Sequence, residues 1–219
     1  MCGRFSFSYN QKIIEEIFDV EIDTENFHPR YNCAPSQNLA VISNENPQKL
    51  SYYKWGLIPS WAKEISIGNK LINAKAETIL ERPSFKKSFK SRRCLVLADS
   101  FYEWKQDKEK IPYRILLKSE EPFSMAGICD IWKDAEGKEI HSFSIITTEA
   151  NDLMKGIHNR MPVILPRSDE KNWLEISDTQ LLLNLLKPFD PNKMDAYPIS
   201  KLVNSPRNDS PELHQRITE

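Results

Sequence analysis

A succession of short runs rich in β-branched and aromatic residues limits the folds open to this chain. Such runs occupy 39–43, 50–55, 94–98, 101–104, 113–117, 124–129 and 142–147, and each reads as a strand. Helical patterns are inserted between and after them. Ser8 and Gln11 have capping-box spacing, followed by Ile13, Ile14, Ile17 and Phe18 at helical intervals. A short helical stretch is expected at 74–80, after a turn containing Pro59. Asn151 can cap a helix running to Ile157, and 161–165 reads as one more strand. Helices follow at 169–174 and 179–186, the second capped by Ser177 or Asp178, and a last strand lies at 196–199. Many strands with interspersed helices predict an α+β domain with a mostly antiparallel, barrel-like β core surrounded by helices.

With 219 residues, 40% of them apolar, the chain can bury a core large enough for one domain. We place that domain at 1–203. Residues 204–219 are polar, contain Pro206 and Pro211, and read as an extended tail. The longest apolar run, 181–186, is interrupted by Asn184 and is far short of the ~20 residues of a membrane span. The first residues lack the apolar stretch of a secretion signal, so the chain reads as intracellular and cytoplasmic, without a membrane partner.

Glycine and cysteine placement narrows the chemistry. The six glycines form neither a dinucleotide fingerprint nor a phosphate loop, and no cofactor is expected. The four cysteines, at 2, 33, 94 and 129, contain no Cys-x-x-Cys pair, so no metal site is expected. Cys33, Cys94 and Cys129 read as small apolar core residues. A net charge of −1 hides an asymmetry: 13–29 carries six acids and no Lys or Arg, whereas 82–93 carries six bases and no acid. Phe85 and Phe89 interleave the basic run. That pattern suits either a phosphate-tracking surface or a solvated amphipathic turn whose phenylalanines face the core.

Cys2 stands apart. A methionine before so small a residue is normally trimmed, which would leave a terminal amine with a pKa of about 7.7–8.0 beside a thiol near about 8.5. An aldehyde meeting this pair forms an imine, and the adjacent sulfur closes a thiazolidine intramolecularly. Gly3 permits close backbone approach, and Arg4 could depress the thiol pKa or bind an anion.

Other candidates have two readings each. His158 lies between a predicted helix and a strand, where an imidazole works on a proton or simply caps. Glu103 sits in an aromatic strand whose alternation puts Phe101 and Glu103 on one face, Tyr102 and Trp104 on the other. It is either a salt-bridged edge residue or a partly desolvated acid–base group with a raised pKa. Asn73 is either an N-cap or a hydrogen-bonding group at a reacting sugar. Trp55 and Trp61 flank a proline turn as core residues or as a stacking platform.

Six segments occur in order: Cys-Gly-Arg-Phe at 2–5, Tyr-Asn-Cys-Ala-Pro-Ser-Gln at 31–37, Trp-Gly-Leu-Ile-Pro-Ser-Trp at 55–61, Asn-Ala-Lys-Ala-Glu-Thr at 73–78, Phe-Tyr-Glu-Trp at 101–104, and His-Asn-Arg-Met-Pro-Val at 158–163. Together they resemble the SRAP family (SOS response-associated peptidase, or abasic-site processing proteins), from Cys2 to about Leu165. The resemblance implies a sensor that crosslinks to abasic sites in single-stranded DNA through a thiazolidine on the N-terminal cysteine, protecting the lesion during repair and the SOS response. It implies Cys2 as nucleophile, Asn73 holding the opened sugar, Glu103 acting on the α-amine, and His158 exchanging a proton with the sugar oxygen. Arg160 and Lys75 would contact flanking phosphates, with Arg4, Arg82 and the 86–93 run as further candidates. Pro35, Trp61 and Trp104 would separate or stack bases.

Lys75 departs from the arginine common in the family, keeping the charge but losing the bidentate fork. Ser100 replaces a common glycine. The expected partner is single-stranded DNA, the expected state a monomer, associated with the nucleoid if bacterial. AP-lyase activity and crosslink reversal are chemically reachable through the imine. The alternatives are a Cys2-dependent peptidase, mainly releasing Met1, and a non-covalent reader of modified DNA.

Overall fold

The computed structural model describes residues 2–23, 25, 27–106 and 109–217. Five strands close into a barrel. Asn38–Ser43 pairs with Asn46–Trp55 on one side and Arg93–Ala98 on the other. Arg93–Ala98 pairs with Phe123–Lys133, which pairs with Glu139–Glu149. The ring closes where Glu139–Glu149 runs parallel to Asn46–Trp55, with Phe143 opposite Trp55. Closure leaves these strands with no bare edges along the shared ladder. The expected barrel-like α+β fold is therefore present.

A second, wholly antiparallel sheet has the order Met194–Pro198, Lys110–Leu117, Ser100–Gln106, Phe5–Phe7, Arg30–Cys33. The N-terminal strand is interior to it, and the Tyr102 N–H donates to Arg4 O at 2.9 Å. The start of the chain is thus built into the protein. Alternation along Ser100–Gln106 is as expected: Phe101 joins the main core, while Tyr102 packs with Ile199, Val203 and Leu213 on the opposite face. Ser100 begins the strand without a special turn, and its Oγ accepts from Arg114 Nε at 2.8 Å.

Several local expectations are corrected. The first helix, Gln11–Phe18, is capped by Asn10, whose side chain accepts from Ile13 N–H; Ser8 is instead held by the buried Asp99. The stretch 74–80 is not a helix. Asn73–Lys75 pairs in parallel with the barrel strand at Ile145–Thr147, which keeps it extended, and one 3-10 turn, Ala76–Thr78, follows. The segment 161–165 splits into Arg160–Pro162 and Ile164–Leu165, because the chain crosses from one barrel strand to its neighbour. Pro162 has no N–H to continue a ladder. Of the two caps expected for Thr179–Asn184, Asp178 is the one the structure uses.

The polar C-terminal segment is not an extended tail. Pro211–His214 forms a 3-10 turn, Leu213 is buried, and Arg216 bridges back to Ile199. It is docked by the apolar cluster of Leu213 with Tyr102, Ile199 and Val203 and by polar groups of Asn208 and Asp209 that meet the strand Arg30–Cys33, which polar composition alone does not reveal. No helix among the described residues is long and apolar enough to cross a membrane.

The basic run divides in two. In Pro83–Ser91 the phenylalanines face the core, as one reading expected, and Lys86, Lys87 and Lys90 are exposed. Arg92 pairs with Asp130 and Glu45. Arg93 is buried, and its guanidinium donates to five carbonyls: Trp173, Phe89, Lys90, Leu174 and Ile176. These acceptors lie at the C-terminal ends of Pro83–Ser91 and Arg167–Glu175, where the helix dipole favours a cation. Arg93 is therefore a structural residue and not a phosphate contact.

Candidate functional site

The parallel pairing of Asn73 with Ile145 sets Asn73 beside the start of the chain. Its Nδ2 donates to the Cys2 carbonyl at 2.7 Å, while its Oδ1 is buried with no hydrogen-bond partner. Asn73 is therefore not an N-cap; it anchors Cys2 and keeps one buried acceptor. Cys2 itself is 0% exposed. Burial pushes its thiol well above the ordinary range, and the charge of Glu103 adds to that. The depression of the thiol expected from the Arg4 side chain is absent, because that side chain points elsewhere.

Glu103 is buried, and burial raises its carboxyl above the usual range, with His158 pulling in the opposite direction. The desolvated reading of Glu103 thus fits, and its strand lies between Lys110–Leu117 and Phe5–Phe7 and not at a sheet edge. The His158 Nδ1 accepts the Arg160 N–H at 3.0 Å, so a neutral ring carries its hydrogen on Nε2. The segments that carry Asn73 and His158 flank the same barrel strand. Thr147 of Glu139–Glu149 pairs with Lys75 along one edge and with Pro162 along the other.

The expected cations differ in their freedom. Lys75 and Arg82 are exposed. Arg160 forks onto Glu77, Nη1 to Oε1 at 2.7 Å and Nη2 to Oε2 at 2.9 Å, and also donates to Thr147 O. Arg4 spends its Nη1 inside the protein, on Asn32 Oδ1 at 2.7 Å and Val203 O at 2.6 Å. Of the aromatics, Trp61 is 57% exposed, whereas Trp55 is core and donates to Ile72 O. Trp104 is half-buried and donates to Asn204 Oδ1 at 2.7 Å; Pro35 is half-buried in the turn before Ser36. Gly56 shapes the Trp55–Trp61 segment: at φ +127° a Cβ there would lie 2.6 Å from Gly68 O.

Residue reading missed Glu77, Thr147 and Asn32. Glu77 and Asn32 lie inside motifs already singled out, but their partners are remote in sequence. Among the described residues no three His, Cys, Asp or Glu side chains are grouped to hold a metal ion.

A model of the family described as SOS response associated peptidase (SRAP) matches residues 1–206. The chain belongs to the SRAP family. Among SRAP relatives, the abasic site processing protein YoqW of Bacillus subtilis (strain 168) is 50% identical over 220 residues, covering 97% of this chain and 98% of the relative. The abasic site processing protein HMCES of Xenopus tropicalis is 33% identical, covering 89% of this chain and 68% of the relative. A crystal structure of a protein from Bacteroides thetaiotaomicron shares the SRAP fold at a TM-score of 0.91 and 34% identity, covering 99% of this chain and all of that one.

Proposed function

We propose that this SRAP chain processes abasic sites in DNA, and that it does so by crosslinking its terminal Cys2 to the lesion in a single strand. The observation that carries this reading is the Asn73 Nδ2 bond to the Cys2 carbonyl beside the buried Glu103. It fixes a residue that removal of Met1 would turn into a terminal aminothiol.

An abasic deoxyribose opens to a C1′ aldehyde. The Cys2 amine attacks that carbon, and water leaves to give an imine. The thiol then adds across the C=N bond, its proton passing to nitrogen, so that one C–N and one C–S bond form for one water released. The amine must first lose a proton. Glu103, whose burial raises its proton affinity toward that of the amine, is the group to take it. As the sugar opens, the C1′ hydroxyl gives up its proton and the ring oxygen takes one up, with His158 Nε2–H donating a hydrogen bond to that oxygen. The buried Asn73 Oδ1 accepts from a sugar hydroxyl. Lys75 and Arg82 meet flanking phosphates, Arg160 joins them only when it is released from Glu77, and Trp61 with Pro35 and Trp104 supports unpaired bases. The imine also makes β-elimination and reversal reachable.

Burial of the thiol works against the thiolate a peptidase needs, so peptidase action comes second to the aldehyde reaction. The test uses Met-trimmed protein and a single-stranded oligonucleotide with one abasic site, resolved on a denaturing gel. A stable adduct on abasic DNA alone, lost in Cys2→Ala, is expected. No adduct, with trimming verified by mass spectrometry, overturns the proposal.

A further inference from the structure

The C-terminal segment grips the start of the chain from behind. Asn32 is fully buried, and its side chain is saturated. Its Oδ1 accepts from Arg4 Nη1, and its Nδ2 donates to Asn208 O at 2.7 Å, Ser205 O at 3.0 Å and Val203 O at 3.3 Å. Three carbonyls on the amide nitrogen polarise it and strengthen Oδ1 as the acceptor for Arg4. Arg4 also donates directly to Val203 O. Asp209 ties the same segment to the adjacent strand, accepting from the N–H groups of Tyr31 and Asn32 at 2.5 and 3.0 Å and from Arg30 Nε at 2.6 Å. Asn204 accepts from Trp104, the neighbour of Glu103.

We infer that Asn32 and the clasp 203–209 are positioning elements for the reaction proposed above, holding Cys2 through Arg4 and Glu103 through Trp104. This rests on the crosslinking reading. A trimmed Cys2 has only one covalent tether, so non-covalent anchors must orient its amine and thiol. Asn73 supplies one on the Cys2 carbonyl, and the Arg4–Asn32 contact supplies the other, two residues along the chain. Asn208 and Asp209 lie past residue 206, where the match to the family ends. The contacts of the clasp run to Arg4 and Trp104, the neighbours of the reacting residues, which makes its role orientation and not chemistry.

Asp209→Ala in the full, Met-trimmed chain loosens the clasp without touching the site. Two readouts separate the proposals. The first is the rate at which iodoacetamide alkylates Cys2 without DNA, followed by mass spectrometry with Cys94 and Cys129 as buried controls. About a tenfold rise at Cys2 alone is expected. The second is adduct formation on abasic single-stranded DNA, expected to slow about tenfold at saturation with the half-saturating DNA concentration unchanged. Asp209→Asn, which keeps an oxygen for the Tyr31 and Asn32 N–H groups, restores most of both. An unchanged Cys2 rate, or one that rises together with Cys94 and Cys129, overturns the inference, since the latter marks general loosening. If the wild type forms no adduct while Cys2 alone is freed by Asp209→Ala, the crosslinking reading fails, and only the hold of the clasp on Cys2 stands.

Discussion

Asn73 donates to the Cys2 carbonyl at 2.7 Å while its own Oδ1 is buried without a hydrogen-bond partner. A buried amide oxygen left unsatisfied costs free energy, so the arrangement reads as a half-built site completed by substrate. Asn73→Ala removes both the anchor and the acceptor. Adduct formation should slow about 100-fold in single-turnover assays, the scale on which lost orientation acts. Stability by urea titration should change by only about 1 kcal/mol. A wild-type rate in Asn73→Ala would remove Asn73 from the site.

Glu103 should show opposite signs in stability and in rate. Its raised carboxyl pKa means the folded chain holds the proton more tightly than the unfolded chain. The cost of burying the charge is absent below the unfolded value of about 4.3 and fully present above the folded one. Glu103 thus costs stability as pH rises through its titration. Glu103→Gln should raise the melting temperature at pH 7.5, with the gain disappearing toward pH 4, and slow adduct formation about 100-fold. Wild-type rates should fall on acidification, as a protonated carboxyl cannot accept the ammonium proton. A melting gain equal at both pH values would contradict this account.

Arg160 is masked by a two-point pair with Glu77. Glu77 is held below the ordinary carboxylate range chiefly by its hydrogen bond from Arg160, so the mask persists at neutral pH. Glu77→Gln should free the guanidinium for phosphate. Affinity for single-stranded DNA should rise, and the salt dependence should steepen by about 0.7 in log–log slope, the value for one added phosphate contact. Weaker binding, matching that of Arg160→Ala, would instead make Glu77 a support that aims Arg160 at DNA.

Arg93 and Lys87 should separate the two halves of the basic run. Arg93→Met strands five buried carbonyls and should cost about 3–5 kcal/mol in urea unfolding, on the scale of a broken buried charge network. Its DNA salt dependence, measured below the melting temperature, should not change. Exposed Lys87→Ala should leave stability within about 0.5 kcal/mol. A loss of salt dependence in Arg93→Met would mean that the buried guanidinium reaches DNA after all.

Local patterns in the sequence were enough for the barrel strands, the barrel-like α+β class, the Asn151 cap and the two faces of Ser100–Gln106, but not for the strands Phe5–Phe7, Arg30–Cys33 and Asn73–Lys75. Each depends on neighbours within a few residues, through side-chain alternation or capping. The six ordered motifs likewise marked Cys2, Asn73, Glu103 and His158. What each polar side chain does with its hydrogen-bonding atoms was decided only by tertiary contacts. Asn73 left its cap reading because a strand 71 residues from Cys2 pairs with Ile145. Arg4 turned inward to a carbonyl 199 residues away, Arg160 to a carboxylate 83 away, and Arg93 to helix ends up to 83 away. A guanidinium in the sequence carries the same charge whether it faces phosphate or carbonyl. Only the folded chain supplies the acceptors that choose between them, because a desolvated donor must be satisfied wherever packing has put it.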